Sequence, residues 1–410
     1  MNWIKKKLGE VLTIERGGSP RPIDKYLTNS PEGINWIKIS DATASDKYIF
    51  ETKEKITKEG LHKTRMVNEG DFILSNSMSF GRPYIMKTSG CIHDGWLVLK
   101  ENGQKIFDTE FLYYLLSSPY VFNQFDYLAA GSTVRNLNIA LVSSVEVPIP
   151  PLPEQQRIVS ILDEAFAAIA KAKANAEQNL KNAKELFESY LQEVFENGNE
   201  NWETKCLDEL GTITSSKRIY KSEYVKDGIP FYRTKEIKEL ANGKNITLEL
   251  FISRERYNEI KKSFGVPQIN DLLMSAVGTI GEIMVIKNKD EFYFKDGNIV
   301  WFKGFRNLDT NYLKFALTAF VEKIKSLAIG AAYSALTIEK LNKYQISFPK
   351  SIEEQQTIVH QLDALRAETQ KLEAVYQKKI ADLEELKKSI LQKAFGGELK
   401  TEIKVFAEQV

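Results

Sequence analysis

Residues 150–195 read PPLPEQQRIVSILDEAFAAIAKAKANAEQNLKNAKELFESYLQEVF, and residues 349–395 read PKSIEEQQTIVHQLDALRAETQKLEAVYQKKIADLEELKKSILQKAF. In the first stretch Leu162, Phe166, Ile169, Ala176, Leu180, Ala183, Phe187, Tyr190 and Val194 recur at spacings of three and four, broken once at Lys173. A seam that narrow predicts a long helix packed along another helix. The second stretch carries a less regular seam through Leu362, Leu365, Thr369, Leu372, Tyr376, Ile380, Leu383, Leu386, Ile390 and Ala394. Pro153 suits a first helical turn, and Glu154, Glu353 and Glu354 place negative charge at the positive helix end. Gly198 and Gly396–Gly397 supply stops. Each helix of roughly 44 residues spans about 65 Å. The simplest chain path returns the second antiparallel beside the first.

Working outward, landmarks of the block before the first helix recur in the block after it. Trp3, Leu8, Thr13 and Ile14 return as Trp202, Leu207, Thr212 and Ile213. GDFILSNSMSFGRPYI from Gly70 returns as NDLLMSAVGTIGEIMV from Asn270, FDTEFLYYLL as LDTNYLKFAL, and LAAGSTVRNLNI as LAIGAAYSALTI. Matches that keep their order at an offset near 200 indicate duplication. The expected fold is α/β: two duplicated mixed α/β domains separated by two long antiparallel coiled-coil helices, related by a pseudo-twofold. The expected boundaries are 1–152 and 198–349 for the domains, 153–197 and 350–397 for the helices, and 398–410 for a C-terminal tail. Apolar runs at Asn35 to Ile39, Asp71 to Ser75, Tyr84 to Met86 and Trp96 to Leu99 predict strands, and Glu110 to Ser117 and Asn311 to Ala319 predict short helices.

With 410 residues, 43% hydrophobic and 27% charged, the chain has the composition of an ordinary globular protein with two or three cores. No apolar run approaches the ~18 residues of a membrane span. The opening MNWIKKKLGEVLTIERGG lacks the apolar core of a signal peptide, so a cytoplasmic protein is expected. Cys91 and Cys206 form no CxxC pair, which suggests neither a disulfide framework nor a cysteine zinc site. The net charge of +1 is far below what a chain holding nucleic acid alone by phosphate neutralisation usually carries.

Catalytic motifs are missing: there is no GxxxxGK[ST], no strand-linked GxGxxG and no HExxH, and the histidines are His62, His93 and His360. His93-Asp94 pairs with Lys295-Asp296 in the second block, which favours a structural role over acid–base chemistry. Asp71 and Asp271, each opening an apolar strand, fit turn capping. What recurs is polar, basic, glycine-bearing loops suited to phosphates and base edges. In the first block these loops offer Arg16, Ser19, Arg21, Asn76, Arg82, Arg135 and Asn136; in the second, Lys217, Arg218, Arg233, Thr279 and Ser334.

Two variable blocks, each followed by a PxPxEQQxIVxxLD-like opening of a long helix, resemble the specificity subunit of type I restriction-modification systems. The likeness rests on Pro150 to Val159 with Leu162-Asp163, on Glu354 to Val359 with Leu362-Asp363, and on the KLGEVLTIERGG and LAAGSTVRNLNI segments. The second copy departs by having Lys350-Ser351-Ile352 where the first has Pro151-Leu152-Pro153. The resemblance implies that the blocks are target-recognition domains, each reading one half of a split, asymmetric double-stranded DNA site. It further implies that the helices act as a ruler and as docking surface for two methyltransferase subunits, with restriction subunits joining the full complex. No cofactor is then expected in this chain: S-adenosylmethionine belongs in the methyltransferase partner, since NPP[FY] and a donor-binding glycine loop are absent here. The chain is expected to be no enzyme by itself. Two rival readings are a standalone DNA-modifying enzyme, which a methyltransferase assay would expose, and a non-DNA coiled-coil adaptor, which would leave the duplicated polar loops without a purpose.

Overall fold

The computed structural model describes residues 3–76, 80–129, 136–198, 201–327 and 336–399. Contacts divide the chain into two compact units, Met1–Glu177 with Gln377–Val410, and Gln178–Tyr376. Four helices frame them: α1 (Thr109–Leu116), α2 (Leu152–Glu196), α3 (Thr310–Leu327) and α4 (Ile352–Gly396). Both long helices are 45 residues, and each passes from one unit into the other. Every unit therefore holds the beginning of one long helix and the end of the other. Among the described residues no helix is long and apolar enough to cross a membrane.

In the first unit, β1 (Leu12–Arg16), β2 (Phe72–Ser75), β3 (Pro83–Met86) and β4 (Trp96–Glu101) form a sheet in the order β1-β4-β2-β3, edged by Tyr48–Ile49. Val98 faces Ile73 and Ile73 faces Tyr84 across antiparallel pairs. All of β2 and β3 is buried because alternate side chains enter two different cores. Phe72, Leu74, Ile85 and Leu97 meet α1 and the long helices, while Ile73, Met86, Trp96 and Val98 meet Ile37, Val67 and Ile92 of a second five-stranded sheet. A strand buried on both faces reads as an unbroken apolar run, as Phe72-Ile73-Leu74 does before the buried Ser75. The strand predicted through Ile39 stops at Ile37, and a 3-10 turn follows from Ile39.

The second unit repeats the first sheet as β5 (Thr212–Thr214), β6 (Leu272–Ser275), β7 (Ile283–Val285) and β8 (Ile299–Lys303), in the order β5-β8-β6-β7. Around it the units diverge: helices Thr234–Ala241 and Arg254–Ser263 occur here. The helix expected at residues 311–319 runs on to Leu327 in α3, because the apolar pattern continues through Phe320 and Val321 onto the core. Asp71 and Asp271 do cap turns: they accept the N–H groups of Asn68 and Gln268 at 2.9 and 2.8 Å.

The long helices run antiparallel within each unit. In the first unit Phe166 lies under Lys387 while Lys173, further along α2, pairs with Glu384, earlier in α4, at 2.7 Å. Ala172 takes the buried place in the seam, which leaves Lys173 at its edge to make that ion pair. Phe395 meets Phe111 edge-on at 5.4 Å and is almost fully buried, a contact of ~1.5–3 kcal/mol for the burial of that one ring. In the second unit Phe187 and Leu191 share a core with Val359 and Leu362, and Arg366 stacks over the Phe187 ring at 4.7 Å. Leu372 does not belong to the seam: it is 42% exposed, since from Thr369 the inward face passes through Glu373 to Tyr376.

Both helix starts fall at equivalent positions, Leu152 and Ile352, despite their different sequences. Pro151 O accepts the N–H groups of Glu154 and Gln155, whereas Ser351 caps the other helix with its hydroxyl to Glu354 N–H and its carbonyl to Gln355 N–H. One turn in, Gln155 and Gln355 are fully buried. Gln155 Oε1 accepts Asp108 N–H at 2.7 Å while Nε2 donates to the carbonyls of Ile106 and Pro150, both at 2.9 Å. Gln355 repeats this with Asp309 N–H at 2.7 Å and the carbonyls of Asn307 and Pro349 at 3.1 and 2.8 Å. The neighbouring Gln156 and Gln356 are exposed. The first glutamine of each EQQ thus ties the helix start to the turn that opens α1 or α3.

Candidate nucleic-acid interface

In the first unit three loops meet at the turn before β4. Gly17 N–H donates to Trp96 O at 2.9 Å, and a Cβ on Gly17 would sit 2.3 Å from His93 O, so only glycine permits this approach. The Asp94 carboxylate then collects the Ser19 hydroxyl at 2.9 Å, His93 Nε2 at 3.0 Å and the Arg21 guanidinium at 3.8 Å. Its main-chain carbonyl accepts Arg16 Nε at 3.1 Å and Asn76 Nδ2 at 2.9 Å. His93 Nδ1 accepts Gly95 N–H, so the histidine is part of the turn. Asn76 O takes Leu137 N–H at 2.9 Å, which brings in the segment that includes Asn136.

The second unit builds the same meeting point. Gly297 N–H donates to Ser215 Oγ at 3.2 Å, Ser215 Oγ donates to Ile299 O at 3.2 Å, and Ala276 N–H donates to Asn298 O at 2.9 Å. Arg218 Nε donates to Asp296 Oδ2 at 2.7 Å, and Lys217 N–H donates to the Tyr293 hydroxyl at 2.7 Å. The loops after β2 and β6 close alike: Gly81 and Gly281 N–H groups reach Ser75 and Ser275 O at 2.9 Å, and the next N–H, of Arg82 or Glu282, reaches the serine hydroxyl at 3.0 Å.

The side chains singled out in the sequence fall into distinct settings. Arg16, Arg21, Arg82, Lys217, Arg218 and Thr279 are exposed, and Ser19 is half-buried. Arg82 lies 3.6 Å from Asp46 and over the Tyr84 ring. Asn76 is 1% exposed, and its Oδ1, like the buried Oδ1 of Asn136, accepts no hydrogen bond among the described residues. Arg233 caps the Thr234–Ala241 helix. Its guanidinium spans Glu236, whose side chain is 3% exposed, and Glu249, at 2.5 and 2.6 Å. Burial opposes ionisation of Glu236, yet the hydrogen bonds from Arg233 hold its carboxyl below the usual range. Arg135 and Ser334 lie outside the described residues. The hubs themselves, Asp94 and Asp296, were not singled out as site residues; the available signal was their recurrence in His93-Asp94 and Lys295-Asp296. Among the described residues, one acidic grouping with a thiol, Cys206, Asp208 and Glu209, is a helix cap in which Glu209 accepts Cys206 N–H.

Comparison with known proteins places this arrangement. Residues 1–181 and 199–382 match the model of the type I restriction modification DNA specificity domain. The chain is 30% identical over 304 residues to the putative type I restriction enzyme specificity subunit S.HindORF215P of Haemophilus influenzae, covering 72% of this chain and 75% of that one. It is 23% identical to the EcoBI specificity subunit of Escherichia coli, over 97% and 86% of the two chains. The HsdS subunit from Thermoanaerobacter tengcongensis has a similar fold, at a TM-score of 0.62 and 21% identity over 97% of each chain. A chain from a structural study of complex assembly and conformational transition of the type I R-M system superposes at a TM-score of 0.77, with 21% identity over 97% and 98%. In such systems the specificity subunit is non-catalytic, and S-adenosylmethionine binding belongs to the methyltransferase subunit. The chain belongs to the DNA specificity subunits of type I restriction-modification systems, with two target-recognition domains.

Proposed function

We propose that each α/β block reads one half of a bipartite, asymmetric double-stranded DNA target through the loops gathered at Asp94 and Asp296. The observation that carries this reading is the recurrence of one loop junction in both units, with exposed guanidinium groups at its rim: Arg16 and Arg21 in one, Arg218 in the other. Exposed forks of this kind suit base edges and phosphates. Residues 1–152 and 198–349 are the recognition domains, residues 153–197 and 350–397 the spacer helices, and residues 398–410 a tail. Arg16, Ser19, Arg21, Arg82, Arg135, Asn136, Lys217, Arg218, Thr279 and Ser334 contact DNA, while Asn76, bonded to Asp94 O, and Arg233, held by Glu236 and Glu249, act from behind. The helices set the distance between half-sites and dock two methyltransferase subunits in the cytoplasm, with restriction subunits joining the full complex. With a net charge of +1, tight binding depends on those partners.

Methylome sequencing of cells carrying the system tests this reading. Arg→Ala at a base-reading position relaxes one position of one half-site at ~1–3 kcal/mol, whereas loss of a phosphate contact weakens all sequences alike. Four residues inserted after Ala176 add ~6 Å of helix, slightly under two base pairs, and lengthen the unread spacer by about one or two base pairs. An unchanged motif in every loop variant, or an active insertion variant with unchanged spacing, refutes the corresponding half of the reading.

A further inference from the structure

The Arg218–Asp296 pair has a geometry that goes beyond a generic basic loop. Arg218 is 65% exposed, yet its Nε is held at 2.7 Å by Asp296, whose side chain is 16% exposed. Asp296 sits in a turn fastened before it by Lys295 N–H to Tyr232 O and after it by Gly297 N–H to Ser215 Oγ and Ala276 N–H to Asn298 O, so it is a fixed point. An exposed ion pair contributes little to stability, which makes stability a poor reason for it. What it does is orient. With Nε donating to the carboxylate, the end-on edge formed by the two Nη nitrogens is left with no second acidic partner among the described residues. That terminal fork matches O6 and N7 of guanine. The carboxylate also cancels the arginine's charge, so the side chain gains less from a phosphate, which offers charge alone, than from a guanine edge, which offers two aligned acceptors.

We propose that Asp296 is a specificity-determining positioning residue, which buttresses Arg218 so that its terminal fork reads one guanine in the half-site taken by the second unit. This rests on the DNA-reading function proposed above and names the base. At the equivalent place in the first unit Asp94 is shared among Ser19, His93 and Arg21, with Arg21 at 3.8 Å, so the buttress there is looser.

The test uses the full chain assembled with its methyltransferase subunits. The wild-type methylome defines both half-sites; binding is then measured across a salt series for the matching duplex, for duplexes with each guanine of the second unit's half-site replaced, and for unrelated DNA. With Arg218→Lys, discrimination at one guanine falls about tenfold while affinity for unrelated DNA is unchanged, because the charge remains and the fork is lost. With Asp296→Asn, discrimination falls at that same guanine, affinity for unrelated DNA rises several-fold, and the salt slope steepens by about 0.9, one extra phosphate contact. The half-site of the first unit is the internal control and stays unchanged in both variants. The proposal is overturned if Arg218→Lys keeps full discrimination at every guanine, or if Asp296→Asn leaves unrelated binding and its salt slope as they were. A wild-type complex with no sequence preference would instead defeat the DNA-reading function itself, before any variant is made.

Discussion

Replacing Gln355 with leucine removes three hydrogen bonds at a fully buried site and strands three backbone groups: Asp309 N–H and the carbonyls of Asn307 and Pro349. Each orphaned group costs about 1–3 kcal/mol, and the more apolar side chain returns ~1 kcal/mol, which leaves a net loss on the order of 4 kcal/mol. For a unit of this size that corresponds to a fall in Tm of ~10 °C. Gln356→Leu, one residue along on the exposed face, is expected to stay within about 0.5 kcal/mol of wild type. Thermal and urea unfolding of the four variants at Gln155, Gln156, Gln355 and Gln356 gives the energies, and hydrogen exchange at Asp108 and Asp309 locates them. The Gln155 variant frees Asp108 N–H and spares Asp309 N–H; the Gln355 variant does the reverse. Gln355→Glu adds a pH signature. The carboxyl keeps the acceptor for Asp309 N–H but faces two carbonyls, so burial raises its pKa, and relative to wild type the variant's deficit is smallest below the ordinary ~4.3 and grows as pH rises through the raised value. A Gln355→Leu variant within 1 kcal/mol of wild type, or indistinguishable from Gln356→Leu, refutes the clamp.

Three further outcomes follow from single contacts. Arg233→Ala leaves Glu236 buried without its partner and destabilises the chain by ~3 kcal/mol in urea unfolding; a loss under 0.5 kcal/mol would make Arg233 a surface residue. Because Arg233 holds the Glu236 carboxyl below its unperturbed 4.5, the pair stabilises the protein above that pH, and the contribution is lost as pH falls through the lowered value. Glu236→Gln should lack that segment of the acid-unfolding curve, and an unchanged curve would contradict the assignment. Gly281→Ala and Gly81→Ala both force a side chain to positive φ, but the new Cβ lies 2.4 Å from Val321 in the former and 3.1 Å from Phe125 in the latter. Urea unfolding should rank them at ~3 and ~1 kcal/mol, and equal losses would show that backbone strain alone sets both.

Much of the molecule is visible in the sequence because its cues are local. The duplicated landmarks, the long seam and the run FILS each report a periodicity or an order, and neither depends on where distant residues lie. The alternation in the first helix places Leu162, Ile169, Ala176, Ala183 and Phe187 inward, and all five are buried. In the second helix the spacing is irregular, and whether Leu372 or Glu373 turns inward after Thr369 depends on a phase set by the partner helix, which no window of sequence contains.

What the tertiary structure alone decided is which donors meet which acceptors. Asp94 lies 75 positions from Ser19 and 78 from Arg16, so its recurrence as Asp296 hints at a role but not at which side chains it gathers. The same holds for the two glutamines of EQQ, identical in type and adjacent in sequence, of which burial selects the first as the clamp. Asn76 and Arg233 carry the same hydrogen-bonding groups as any base-reading side chain; packing turned one inside and spent the other on two glutamates. Residue type states what a side chain can bond to, and the fold decides whether water, DNA or the protein itself is within reach of it.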